Sequence, residues 1–157
     1  MVEKRFSHLD EEGHVHMVDV GGKDTTDREA VAEAKVVMEP STRDLLFAGD
    51  LPKGDALAVA RVAGIMAAKR TAELIPLCHP IAITSVSIDV TPADEGAFIR
   101  ATVVTRDRTG VEMEAMTAAS VAALTLYDMI KGVERGAYVD AVRLVAKSGG
   151  RSGVWTR

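Results

Sequence analysis

The chain has 157 residues, 47% of them hydrophobic but only 4% aromatic, and a net charge of −4. That length suits one domain with a core of Ala, Val, Ile, Leu and Met, and the negative balance argues against general affinity for nucleic acid or membranes. No apolar run reaches the ~18 residues of a membrane span, residues 3–10 are too polar for a signal peptide, and the lone Cys78 cannot close an internal disulfide; together these predict a cytoplasmic protein.

Residues 1–27 read as a flexible arm, rich in charge and carrying Gly21-Gly22. His14 and His16 alternate as on one side of an extended segment. With no third ligand at a recognised spacing, no metal centre is assigned. Residues 28–38 alternate Glu29, Glu33 and Lys35 against Ala30, Ala32, Ala34, Val36 and Met38, which predicts a strand ended by Pro40. Ser41 is a candidate cap for a short helix over 42–48, followed by a turn at 49–52. Asp55 is a candidate cap for a second helix. Along it Ala56, Ala60, Gly64 and Ala68 form a strip of small residues suited to close packing on a sheet or helix, and Lys69 and Arg70 stand at its end.

Pro76 and Pro80 stop that helix and stiffen the bend that carries Cys78 and His79. Residues 82–91 and 97–106 alternate as strands, joined by a turn at 92–96 into a hairpin. Residues 110–131 open with Glu112 and Glu114, whose spacing in extended chain places both on one side. A helix is expected from about Thr117. At ~100° per residue, Thr117, Ser120, Asp128 and Lys131 share one narrow stripe on a helix otherwise apolar. Such helices are buried, so an Asp and a Lys there read either as an i,i+3 ion pair or as an acid/base pair at the floor of a pocket. A partner subunit or the arm is expected to cover this helix. Residues 141–147 form the last strand, and 148–157 a loose, Gly- and Ser-rich tail.

The order is strand, helix, strand, strand, helix, strand, preceded by the arm. It predicts an α+β, ferredoxin-like βαββαβ domain over 28–147, with helices on one face of an antiparallel sheet.

Three stretches stand together: HMVDV at 16–20, KGD…AAKRTAELIPLCHP at 53–80, and GVEMEAMTAASVAALTLYDMIK…AKSGG at 110–150. They closely resemble the molybdenum cofactor biosynthesis protein C family, the cyclic pyranopterin monophosphate synthases. The resemblance covers about residues 7 to 153. It implies a lyase that converts 3′,8-cyclo-7,8-dihydroguanosine triphosphate to cyclic pyranopterin monophosphate and pyrophosphate. It also implies a homohexamer, a trimer of dimers, with sites at subunit interfaces. No cofactor is required on this reading, although Mg²⁺ would accompany the triphosphate, and no dedicated metal cage is apparent.

The residues fit that chemistry. Arg28, Lys53, Lys69, His79 and Lys147 are candidates to hold a triphosphate, whose leaving-group charge must be neutralised as it develops. Lys131 beside Asp128 is the candidate acid/base, its ammonium pKa lowered by neighbouring cations and raised by Asp128. Glu112 and Glu114 would accept N–H groups of the guanine-derived ring. By the resemblance, Leu77, Cys78 and Met113 join the binding surface, and His16 and Asp19 close over the ligand. Two other classes compete with it: a ligand sensor without chemistry, since such domains often bind small molecules, and RNA binding on the sheet, which needs exposed aromatics where the strands offer only Phe98.

Overall fold

The computed structural model describes residues 8–10 and 12–157. Its centre is strand β1, Thr26–Val37, with the alternation anticipated from sequence. Ala30, Ala32, Ala34 and Val36 are buried under the helices, and the intervening residues face away. Helix α1, Pro40–Ala48, follows, then α2, Ala56–Ala68, and the single turn α3, Thr71–Leu74. Strands β2, Ile83–Ala93, and β3, Gly96–Asp107, form the hairpin; α4, Glu112–Ile130, crosses back to β4, Tyr138–Ser148, and β5 is Trp155–Thr156. The sheet order is β2-β3-β1-β4-β5, and every pairing is antiparallel. Without β5 this is the ferredoxin-like arrangement.

Several local expectations are corrected. Pro40 does not merely end the strand: it opens α1, where its fixed φ suits the first helical turn and its missing N–H is no loss. Glu39 therefore takes the cap position, with no side-chain hydrogen bond, and Ser41 lies inside the helix. Asp55 does cap α2, accepting from the Ala58 amide at 2.9 Å. Helix α4 starts at Glu112, five residues earlier than expected. Glu112 and Glu114 sit in its first turn, where acids complement the helix dipole. They are ~200° apart around the axis instead of side by side, so they differ in burial and partners although both border one cleft.

The tail, expected to be loose, folds back: Lys147 pairs with Trp155 and Ala146 with Thr156. The Arg157 amide then donates to the Val145 carbonyl at 2.9 Å.

The small-residue strip of α2 packs against both α4 and the sheet. A Cβ at Gly64 would lie 3.0 Å from the Ala118 carbonyl oxygen, 3.1 Å from Ile88 Cδ1 and 3.2 Å from Ala122 Cβ. The backbones approach this closely because α4 offers only Ala118 and Ala122 there. Gly64→Val is therefore expected to lower stability by about 1–3 kcal/mol through overpacking. Urea denaturation checks it, and an unchanged midpoint would contradict the close approach. Among the described residues no helix is long and apolar enough to cross a membrane.

Candidate active site

The start of α4, the bend after α3 and the arm enclose a cleft of about 340 Å³. Leu77, Cys78 and His79 form one wall, Glu112, Met113 and Glu114 another, and Val18, Val20 and Lys23 of the arm a third. The bend is held as its prolines suggested: the Cys78 amide donates to the Ile75 carbonyl at 3.1 Å. His79 ties it to the arm, with Nε2 2.8 Å from the Val18 carbonyl. A carbonyl can only accept, so this contact places the proton on Nε2. Burial pushes the Cys78 thiol up, and the Glu114 charge adds to this. A raised thiol is a poor nucleophile, in keeping with a packing role.

A second cleft, about 460 Å³, continues past Glu112. Lys147 Nζ lies 3.0 Å from Glu112 Oε1 and donates to Ser152 Oγ at 2.6 Å. Arg28 is clamped by its own donors, Nε to the Asp107 carbonyl at 2.9 Å and NH2 to the Arg108 carbonyl at 3.1 Å. Lys23, Arg108 and Arg151 complete a cationic rim, and the buried Thr26 hydroxyl, on the same wall, has no partner among the described residues. Lys23, Arg108, Arg151 and Ser152 were not anticipated from sequence. The signal for the last two lay in Gly149 and Gly150, which turn the tail back over β1 at φ +92° and +68°. A side chain at Gly149 would run into the Asp27 carbonyl.

On the other side of His79 and Glu114 lies a small cleft of about 140 Å³, and it places Lys69 and Arg70. Glu114 thus separates two clefts while only 3% exposed. Burial drives its carboxyl up to about 7; its own backbone N–H opposes this, and the Glu112 charge adds to it.

Lys53, Asp128 and Lys131 gather elsewhere. Asp128 receives Lys131 Nζ at 2.7 Å and Lys53 Nζ at 3.0 Å, and Lys53 also caps the helix end through the Asp128 carbonyl at 2.6 Å. Within one chain the pair is not buried: the Asp128 and Lys131 side chains are 54% and 50% exposed. Their stripe of α4 is buried at Thr117 and open further along, where Leu124 is 60% exposed. The hydrogen bonds from Lys131 and Lys53 lower the Asp128 carboxyl, and the bond to Asp128 raises the Lys131 ammonium. Within one chain, Asp128 therefore outweighs the crowding of cations expected to lower Lys131. Sixteen residues of helix set Asp128 roughly 24 Å from Glu112.

The residues with chemistry thus fall into two groups at opposite ends of α4, and three stretches of sequence carry them. A family model, the MoaC family, matches residues 17–150. The chain belongs to the MoaC family. A cyclic pyranopterin monophosphate synthase of Chloroflexus aurantiacus is 60% identical over 154 residues, covering 97% of this chain and 94% of that protein. One from Streptomyces coelicolor is 56% identical over 155 residues, 99% of this chain and 91% of that protein. A Mycobacterium bovis protein named cyclic pyranopterin monophosphate synthase 2 is 59% identical over 152 residues, 97% and 91% respectively.

In this MoaC-family chain, the three clefts bring together Arg28, Lys69, Leu77, Cys78, His79, Glu112, Met113, Glu114 and Lys147. Lys53, Asp128 and Lys131 stand apart from them. His16 and Asp19 line neither large cleft. The His16 amide bonds the His8 carbonyl at 3.0 Å, and Asp19 Oδ1 accepts from the Gly21 amide at 2.7 Å. Among the described residues no three His, Cys, Asp or Glu side chains gather into a metal cage.

Proposed function

We propose that the clefts at the start of α4 take up 3′,8-cyclo-7,8-dihydroguanosine triphosphate, and that Asp128 and Lys131 of a neighbouring copy complete each site. The activity is that of the relatives' printed name, cyclic pyranopterin monophosphate synthase, a lyase of molybdenum cofactor biosynthesis. One observation carries this reading: the family match spans residues 17–150, a range that holds the LCHP bend, both carboxylates and the Asp128–Lys131 pair. The heterocycle lies in the cleft between His79 and the two carboxylates. The triphosphate lies along the cationic cleft, where Arg28 and Lys147 stabilise the charge that develops on departing pyrophosphate. Lys69 and His79 flank the nucleotide. Lys131, held by Asp128, moves protons during ring opening and closure, and Lys53 positions Asp128. On this reading Mg²⁺ arrives with the triphosphate and not in a protein cage.

The need for a second copy follows from distance. One nucleotide cannot touch both ends of a 19-residue helix. Between the ends, α4 exposes Leu124 and α2 exposes Val59, Val62 and Met66, an apolar surface of the kind that marks an interface. A two-fold axis across the middle of α4 would lay the C-terminal end of one helix against the N-terminal end of its partner. Such a dimer, repeated three times, gives the hexamer the resemblance implies, working in the cytoplasm.

Incubation with the cyclised nucleotide is expected to release stoichiometric pyrophosphate and a pterin product. Binding without release would favour a ligand sensor instead.

A further inference from the structure

Two carboxylates border the heterocycle cleft, and the fold treats them oppositely. Glu112 is bound to a cation, Lys147. Glu114, two residues on, is turned into the protein between two clefts and is 3% exposed. Among the described residues it makes no ion pair. The groups around it do not supply one: Cys78 and His79 face it from the bend, Lys69, Arg70 and Glu73 from the junction of α2 and α3, and Glu112 from its own helix. His8 and Lys23 of the arm also line the cleft that Glu114 borders, and neither pairs with it. A carboxylate so enclosed, with no cation within ion-pair distance among the described residues, carries a heavy desolvation penalty that protonation removes.

We propose that Glu114 meets the substrate as a neutral acid, donating its O–H to an acceptor on the fused-ring heterocycle, while Glu112 accepts that ring's N–H groups. This rests on the synthase reading and goes beyond it, because the two carboxylates then recognise opposite edges of the ring. A 7,8-dihydroguanine-derived heterocycle carries both kinds of group, a carbonyl oxygen and one unprotonated ring nitrogen as acceptors and N–H groups as donors. A pair of acceptors would leave a carbonyl facing a carboxylate, which costs affinity. One donor and one acceptor fit the ring in a single orientation. The raised carboxyl of Glu114, up to about 7, agrees with this assignment.

The experiment compares kcat/KM for pyrophosphate release from the cyclised nucleotide between about pH 5.5 and 9 in the wild type and in Glu114→Gln; this ratio reports ionisations of the free enzyme. The wild type is expected to lose activity as pH rises through about 7, as Glu114 ionises. Glu114→Gln keeps a neutral donor, so it should retain activity within about tenfold and lose that alkaline limb. A loss beyond about a hundredfold at every pH would show that the carboxylate itself is required, and an alkaline limb surviving unchanged in the variant would assign it to another group; either overturns the proposal. A second measurement needs neither turnover nor a folded variant. In wild-type protein with ¹³C-labelled glutamate carboxyls, one signal should titrate near 7. If all midpoints fall below about pH 6, the proposal fails. A wild type that releases no pyrophosphate at any pH counts against the synthase reading alone, and the carboxyl titration still decides Glu114.

Discussion

Lys131→Ala is expected to lower turnover by about 10²–10⁴-fold, the range for removal of a positioned acid/base, while the folded chain and its assembly survive. The side chain is half-exposed and paired with Asp128, so its loss removes an exposed ion pair and not a piece of the core. The larger claim is that this lysine serves a neighbour's cleft. A Lys131→Ala chain and a Glu112→Ala chain should each be nearly inactive alone. Co-assembled at random, half the dimers are hybrids in which one site draws an intact Glu112 from one chain and an intact Lys131 from the other. Activity should then return to roughly a quarter of wild type. No recovery in verified hybrids would place Lys131 and Glu112 in the same chain's site or in none, and the interface reading would fall.

Glu114→Gln should also change how stability depends on pH. The ordinary glutamate value is 4.5 and the folded value about 7. The folded state therefore keeps its proton where the unfolded chain has released it. Stability contributed by this group is highest below about pH 4.5, declines as pH rises through the window, and is lowest above about 7. The upper bound on the decline is about 3 kcal/mol, reduced by water in the two adjoining clefts. Glutamine does not ionise, so the variant should gain on the wild type as pH rises from 5 toward 8. The difference in thermal midpoint across that range measures it, and a difference independent of pH would refute the sign. Above neutrality, then, an enclosed carboxyl at this position destabilises the fold, as site residues often do.

Much of the architecture was readable because it follows from local rules. The alternation of β1 came from period-two burial of Ala30, Ala32, Ala34 and Val36 beneath helices. The strip of Ala60 and Gly64 announced a close helix contact that Ala118 and Ala122 complete. Errors arose where two local rules competed. Glu112 and Glu114 fit a strand's spacing and a helix's first turn equally well, and the helix dipole and the break at Gly110 favour the helix. The tail looked unstructured by composition, yet Gly149 and Gly150 provide a turn and the edge of β4 accepts Trp155.

The sequence alone determined that this is a ferredoxin-like chain of the MoaC family, because periodicity, capping and long motifs are properties of the chain itself. The tertiary structure decided which charged residues meet. Folding turned Glu114 inward and Glu112 toward Lys147, brought Arg28 against the returning tail, and left Asp128 and Lys131 a helix length away from both. The physical reason is that spacing along a chain fixes the direction a side chain leaves the backbone, whereas its dielectric surroundings and counter-charges come from segments far away in sequence.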